Sequence, residues 1–495
     1  MHLTILHTND IHGRLEQMPQ LATLIQWEQA ALPEGGHVLL LDAGDSSERT
    51  TWESDVTKGR ANFALLEAMG YQATTLGNSE AMQWGRAALA RLVKSVHLPV
   101  LAANLLDRQT GELAVPGLQT HTWFDLDGFK VAVLGATAPI AGGYERFGLV
   151  AADPEPILRR LIAQVRAEGA KLVILLSHLG YVPDEQRIDP NFVGDYQLAP
   201  RLPGLDVIIG GHTHWVLEQP VKVGNVIIAQ AGEFGHYLGR LDLRLDEASG
   251  QIVEFQGHLI PVTAETPAEP TIAAVLDLVR EEAARLLDRT VGEAAIPLLA
   301  ATEAESPLTN LVADALCAIC RADLAIFFSG FVAAGLPAGP ITRRALYQTL
   351  PGSTHVTAAQ VTGAQVWRMV EKMLAPDKVR QKAEILRNQR PLGLPAVSRG
   401  VQITYNLDAP PGSRLVRMTL NGEPIAPERV YRLASTYYTL NDLGDVPEYG
   451  YVVLEAGQTL ELVRIEDVLW EIMEDWIKAQ PPLRAQVEGR LVALQ

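Results

Sequence analysis

At 495 residues the chain is too long to fold around one hydrophobic core and predicts two or more domains. With 47% hydrophobic and 20% charged residues it has the composition of an ordinary soluble globular protein, and its formal net charge of -17 argues against a nucleic-acid or anionic-membrane partner. A small anionic substrate remains compatible with that charge, because metal ions and a few local arginines reverse the field inside a cleft.

The chain opens on an apolar run at residues 3–6 with no basic segment ahead of it, so no signal peptide is expected. No uninterrupted apolar stretch is long enough to cross a bilayer. Short apolar runs recur at 37–41, 73–76, 131–134, 172–176 and 207–209, separated by amphipathic helical patterns at 20–31, 60–68, 84–93 and 156–168. Runs of that length are those of strands covered on both faces, and their alternation with helices predicts a layered α/β domain over residues 1–262. Residues 261–270 are a turn-rich break, and a helix over 271–287 follows within a connecting segment at 263–290. From 291 to 495 a second, smaller α/β domain is expected, with strands at 401–407 and 415–420 and an Asn421-Gly422 turn. Cys317 and Cys320 stand in a helical pattern without a partner motif and read as buried thiols. A cytoplasmic enzyme, monomeric or homodimeric and without nucleic-acid or membrane partners, fits these features.

Five polar signatures follow the apolar runs at their carboxyl ends, where open α/β sheets place their sites. They are Asp10-Ile11-His12, Gly44-Asp45, Gly77-Asn78, His178 and Gly211-His212-Thr213-His214. Singly they mean little: Gly-Asp after a strand is usually a turn, and a lone histidine more often satisfies a loop. Jointly they supply two carboxylates, a carboxamide and four imidazoles, a donor set for two divalent ions such as Mn, Zn, Fe, Co or Mg. The lack of cysteine donors argues against a structural zinc site. Paired ions acidify a water and clamp the attacking and leaving oxygens, which makes a phosphoryl group the natural electrophile.

On these motifs the sequence resembles the calcineurin-type metallophosphoesterases, and more narrowly the two-domain 5′-nucleotidase family that includes periplasmic UDP-sugar hydrolase. The second half is similar as well, in the run from Glu305 to Asp314, in residues 341–350 followed by Pro351-Gly352, and in Asn421-Gly422-Glu423-Pro424. The resemblance implies a four-layer α/β sandwich followed by a smaller α/β (α+β) substrate-binding domain that swings about the connecting helix. It implies that Asp10, His12 and His214 hold one ion, that Asn78, His178 and His212 hold the other, and that Asp45 bridges them. The implied reaction is metal-dependent hydrolysis of nucleotides or related small phosphate esters. A 2′,3′-cyclic-nucleotide phosphodiesterase and a catalytically impaired nucleotide-binding relative are the alternatives.

The sequence also departs from the family. The third motif, Gly-Asn-His-Glu followed by Phe-Asp, appears as Gly77-Asn78-Ser79-Glu80-Ala81-Met82. Both the histidine that faces the phosphoryl group and the aspartate that orients it are missing, a loss of about 10²–10⁴-fold if nothing replaces them. The Asn-x-Gly-Gly-x-Arg motif becomes the run from Phe328 to Ala333, without its arginine, and the Gly-Gly-Asp-Gly-aromatic stretch becomes the run from Leu440 to Asp445. Retention of all seven ligands favours a distinct branch over a decaying site. The sequence is similar to the cytoplasmic YunD-type branch, in which an arginine follows Gly-Asp by a few residues, here Arg49. A guanidinium grips phosphate oxygens bidentately. Asp45, Asn78 and Arg49 are therefore expected to carry the chemistry, with Arg49 weighed against a solvated cation paired with Glu48 or Glu53. Arg14 is a candidate phosphate contact, and Phe331, Tyr437, Tyr438 and Tyr449 are candidate rings for a base, although each ring alone reads more often as packing. His236 reads as a turn residue.

Overall fold

The six apolar runs of the first half form inner strands of two six-stranded sheets, alongside Val226–Ala229 and Tyr237–Leu245, in the computed structural model, which describes residues 1–183, 193–351, 355–382, 390–440 and 462–494. The chain divides into two compact units, Met1–Ala284 and Arg285–Gln495. In the first unit one sheet runs, edge to edge, Ile252–Pro261, Tyr237–Leu245, His2–Thr8, His37–Asp42, Ala73–Thr75 and Val100–Leu101. The other runs Val221–Val223, Val226–Ala229, Val207–Gly210, Leu172–His178, Phe129–Thr137 and His121–Leu126.

Alternation along each strand builds the layers. Leu3, Ile5, Leu39 and Leu41 of the first sheet meet Val131, Val133, Ile174, Leu176, Val207 and Ile209 of the second in one core between the sheets. Their neighbours Leu6 and Leu40 face outward, onto Leu21 and Ile25 of the helix Met18–Ala30 and Leu65 of the helix Arg60–Ala68. On the far side Leu134, Val173, Leu175 and Ile208 pack with Leu158, Ile162 and Val165 of the helix Pro154–Ala167. The result is the expected helix–sheet–sheet–helix sandwich. Strands His121–Leu126 and Ile252–Pro261 gave no apolar run because they are sheet edges whose residues are only partly covered. Ile272 and Leu276 of the helix Pro270–Leu287 are buried with Leu21 and Leu65.

The second unit holds a mixed sheet in the order Pro395–Val397, Leu324–Phe328, Val430–Thr436, His355–Thr362 and Leu462–Val468. Beside it a four-stranded sheet contains Val401–Tyr405 paired with Leu415–Leu420, and the Asn421-Gly422 turn returns the chain with φ of 54° and 86°. Arg490 is 4% exposed and fixes the last strand to the helix Pro307–Ile319 through two bonds to Asp314, at 2.7 and 2.9 Å. Cys317 and Cys320 are unpaired, and burial pushes the Cys320 thiol up to about 11. Among the described residues no helix is long and apolar enough to cross a membrane.

Candidate metal centre

All five polar signatures converge just past the carboxyl ends of the central strands. The Asp10, His12 and His214 donors form one group within 4.8 Å of one another, and Asp10, Asp45 and His178 form a second. Asp10 belongs to both groups, and Asp45 Oδ2 stands 3.3 Å from His178 Nε2 and 3.8 Å from His12 Nε2. His12 Nε2 and His214 Nε2 face each other at 3.0 Å and lie 3.6 and 3.4 Å from Asp10 Oδ1. His178 Nε2 is 3.3 Å from Asp45 Oδ2, and the His212 ring stands 5.2 Å from the His178 ring. Asn78 Oδ1 is buried and makes no hydrogen bond among the described residues.

The backbone is strained to reach this arrangement. Asp10, His12, Asp45, His212 and His214 all have φ between 50° and 73°, a left-handed conformation that costs a branched or bulky residue about 1–3 kcal/mol. Close approach explains the glycines beside them. A Cβ at Gly77 would stand 1.9 Å from Asp45 Oδ1, so only glycine lets the two loops meet.

Partners behind the ligands aim them. His178 Nδ1 is 2.8 Å from the Ala43 carbonyl, His12 Nδ1 is 3.0 Å from Glu48 Oε2, and His214 Nδ1 is 2.5 Å from Glu233 Oε2. The Ala43 bond occupies His178 Nδ1, and the two carboxylates lie on the Nδ1 side of His12 and His214, so Nε2 of each ring is left for the centre, the arrangement that orients metal-ligating histidines. Asp10 Oδ2 accepts from Asn9 Nδ2 at 2.7 Å and from the His212 amide at 2.9 Å. Glu233 and Asn9 were not singled out from the sequence, and Glu48 was named only as a partner for Arg49. Asn9 adjoins a signature, whereas Glu233 lies far along the chain from His214 and carried no local signal.

The charge balance points the same way. Asp10 and Asp45 are 0% and 2% exposed, and buried carboxylates require compensating positive charge. Burial pushes Asp10 upward, but hydrogen bonds from His12 and His214 and the charge of His178 hold it well below the usual carboxylate range. Burial lowers His12 and His178, yet bonds to Asp10 and Glu48 lift His12 to about 11, and the charges of Asp45 and Asp10 lift His178 to about 10. Burial and the charge of His178 depress His212 to about 4, which keeps it neutral and able to donate its lone pair. Buried anions, converging imidazole nitrogens and an unbonded carboxamide oxygen together fit divalent cations.

Residues 3–216 match the calcineurin-like phosphoesterase family and residues 290–448 match the 5′-nucleotidase C-terminal domain. The chain belongs to the two-domain 5′-nucleotidase family. It is 27% identical to the metallophosphoesterase YunD of Bacillus subtilis over 87% of this chain and 91% of that one. It is 29% identical to the 5′-nucleotidase of Vibrio vulnificus over 74% of each chain. The solved structure of a 5′-nucleotidase precursor from Thermus thermophilus shares the fold, with a TM-score of 0.54 and 24% identity over 100% of this chain and 99% of that one. Family membership makes the chain a hydrolase of the phosphoester-cleaving, metal-dependent class.

Within that family frame the remaining predicted residues fall differently. Ser79, at the broken third motif, is 3% exposed and bonds to Asp45. Arg49 is not the solvated cation weighed from the sequence. It is 2% exposed, with Nη1 2.7 Å from Asp55 Oδ1, Nε donating to the Gln83 carbonyl at 2.8 Å, and its guanidinium 5.7 Å from the Trp84 ring. Arg14 is exposed and lies 5.1 Å over the Phe234 ring, which in turn meets the His12 ring at 5.8 Å. His236 donates its amide to Glu233 within a turn, as expected.

The base-stacking expectation needs correction. Phe331 and Tyr438 do come together, because each follows one of two neighbouring parallel strands, Leu324–Phe328 and Val430–Thr436. They are 1% and 7% exposed, however, and their rings meet edge to face at 5.8 Å and 62°. Stacking a base needs open, roughly parallel faces, and these two rings are spent on each other. Tyr437 beside them is half-buried. Tyr449 and residues 441–445 lie outside the described residues.

Proposed function

We propose that this protein hydrolyses phosphate monoesters of nucleotides, using two divalent ions held by Asp10, His12, Asp45, Asn78, His178, His212 and His214. The ions supply an acidified water and neutralise charge on the phosphoryl oxygens. The observation that carries the reading is the pair of buried carboxylates, Asp10 and Asp45, ringed by imidazoles whose Nε2 atoms face them. Nucleotide substrates are supported by the names of relatives such as the Vibrio vulnificus enzyme.

The chain's own residues divide the remaining work. Asp45 and Asp10 supply negative charge between the donor groups, and Asn78 adds a neutral oxygen. Arg14 grips the substrate phosphate: among the described residues its guanidinium has no carboxylate partner, and Phe234 holds it beside His12 and His214. Arg49 fixes the loop that carries Asp45, because Asp55 and the Gln83 carbonyl already occupy its Nη1 and Nε. A cytoplasmic location is part of the proposal, supported by the two unpaired thiols.

Phosphate release from nucleoside monophosphates, 2′,3′-cyclic nucleotides, sugar nucleotides and p-nitrophenyl phosphate, measured with Mn²⁺ or with chelator, tests the reading. Asp45→Ala serves as the blank, and Arg14→Ala is expected to raise KM for monoesters about tenfold. Turnover confined to cyclic nucleotides would make the protein a phosphodiesterase. No metal-dependent turnover on any substrate would leave a binding protein.

A further inference from the structure

The serine that breaks the third motif is not a passive replacement. Its main-chain N–H donates to Asp45 Oδ1 at 2.7 Å and its hydroxyl donates to Asp45 Oδ2 at 3.0 Å, so one residue holds both carboxylate oxygens. Ser79 is 3% exposed, and no bulk water competes for that hydroxyl. The next residue reinforces the junction: Glu80 Oε1 accepts from the Ser47 amide at 2.8 Å and from its hydroxyl at 3.0 Å, while Oε2 accepts from the Gly77 amide at 3.0 Å. Residues 77–80 and 45–47 are thereby stitched together on both sides of Asp45.

We propose that Ser79 is a positioning residue for Asp45, a role that rests on the metal-centre reading above. Asp45 has φ of 51°, so its backbone alone does not favour the orientation it adopts. Asp45 Oδ2, the oxygen that the Ser79 hydroxyl holds, is also the one 3.3 Å from His178 Nε2 and 3.8 Å from His12 Nε2. An imidazole at this position offers no hydroxyl one bond beyond Cβ and cannot hold Asp45 in this way. The substitution therefore exchanges a group that faces substrate for one that orders the ligand shared by the centre.

Titration of Mn²⁺ into chelator-stripped protein, read by calorimetry and by the Mn²⁺-induced rise in melting temperature, tests this without reference to turnover. Ser79→Ala is expected to bind Mn²⁺ about tenfold more weakly, in the range seen when groups behind metal ligands are removed. Ser79→Thr, which keeps the hydroxyl, is expected to restore binding. If Ser79→Ala binds as the wild type does, or if Ala and Thr weaken binding equally, the positioning role is wrong. A drop in the metal-free melting temperature with an unchanged Mn²⁺ increment also overturns it, since it marks packing alone. Wild-type protein that binds no Mn²⁺ overturns the metal centre itself.

Discussion

Gly77→Ala is the sharpest perturbation of the centre that leaves every ligand in place. Gly77 has an ordinary φ of -84°, so alanine meets no conformational barrier there and the cost is contact alone. Its Cβ would stand 1.9 Å from Asp45 Oδ1, 2.4 Å from Asp45 N and 2.6 Å from Asp45 Cγ. The carboxylate cannot simply rotate away, because the backbone nitrogen is also struck. Asp45 is pinned as well, its carbonyl accepting from the His12 amide at 2.8 Å and its oxygens from Ser79. Restoring van der Waals separation requires the two loops to part by about 1.5 Å. A shift of that size costs about 10²-fold in turnover through misplacement, and overpacking adds about 1–3 kcal/mol of destabilisation. The assay is kcat on p-nitrophenyl phosphate at saturating Mn²⁺, with Mn²⁺ affinity and a urea melt alongside. Gly70→Ala, whose added Cβ meets nothing within 4 Å, is the control for strain without contact. Wild-type turnover and Mn²⁺ affinity in Gly77→Ala would refute the claim that this close approach sets the geometry.

Three further outcomes are expected. Glu233→Gln removes the anionic acceptor 2.5 Å from His214 Nδ1 and should weaken Mn²⁺ binding about tenfold by calorimetry; unchanged affinity would mean His214 needs no such partner. Burial, offset only in part by a bond from Ser177, pushes Asp195 up to about 8. The folded chain then holds a proton that the unfolded chain gives up near pH 4, so stability falls as pH rises from about 4 to about 8. In thermal melts across that window Asp195→Asn should lose less stability than the wild type, and an equal loss would count against the buried acid. Arg490→Ala leaves Asp314 and Glu488 with only the exposed Arg399 as cation and should cost about 2 kcal/mol in a denaturant melt; a loss near zero would show these bonds to be dispensable.

The sequence by itself determined six of the inner strands of the first unit and the seven candidate ligands, because both are short-range patterns, while the inner strands Val226–Ala229 and Tyr237–Leu245 were not read from it. A strand covered on both faces must be an apolar run, and a ligand at its carboxyl end must follow it directly, as Asp10 follows His2–Thr8 and His178 ends Leu172–His178. The edge strands His121–Leu126 and Ile252–Pro261 stayed hidden because partial exposure dilutes their apolar signal. Only the tertiary structure decided what stands behind the ligands. Ser79 reaches Asp45 and Glu233 reaches His214 because separate loops fold onto one another, and no spacing along the chain encodes those distances. The same holds for the misplaced expectations. Arg49 is claimed by Asp55 and Gln83, and Phe331 by Tyr438, since a buried charge or ring takes the nearest partner that packing supplies.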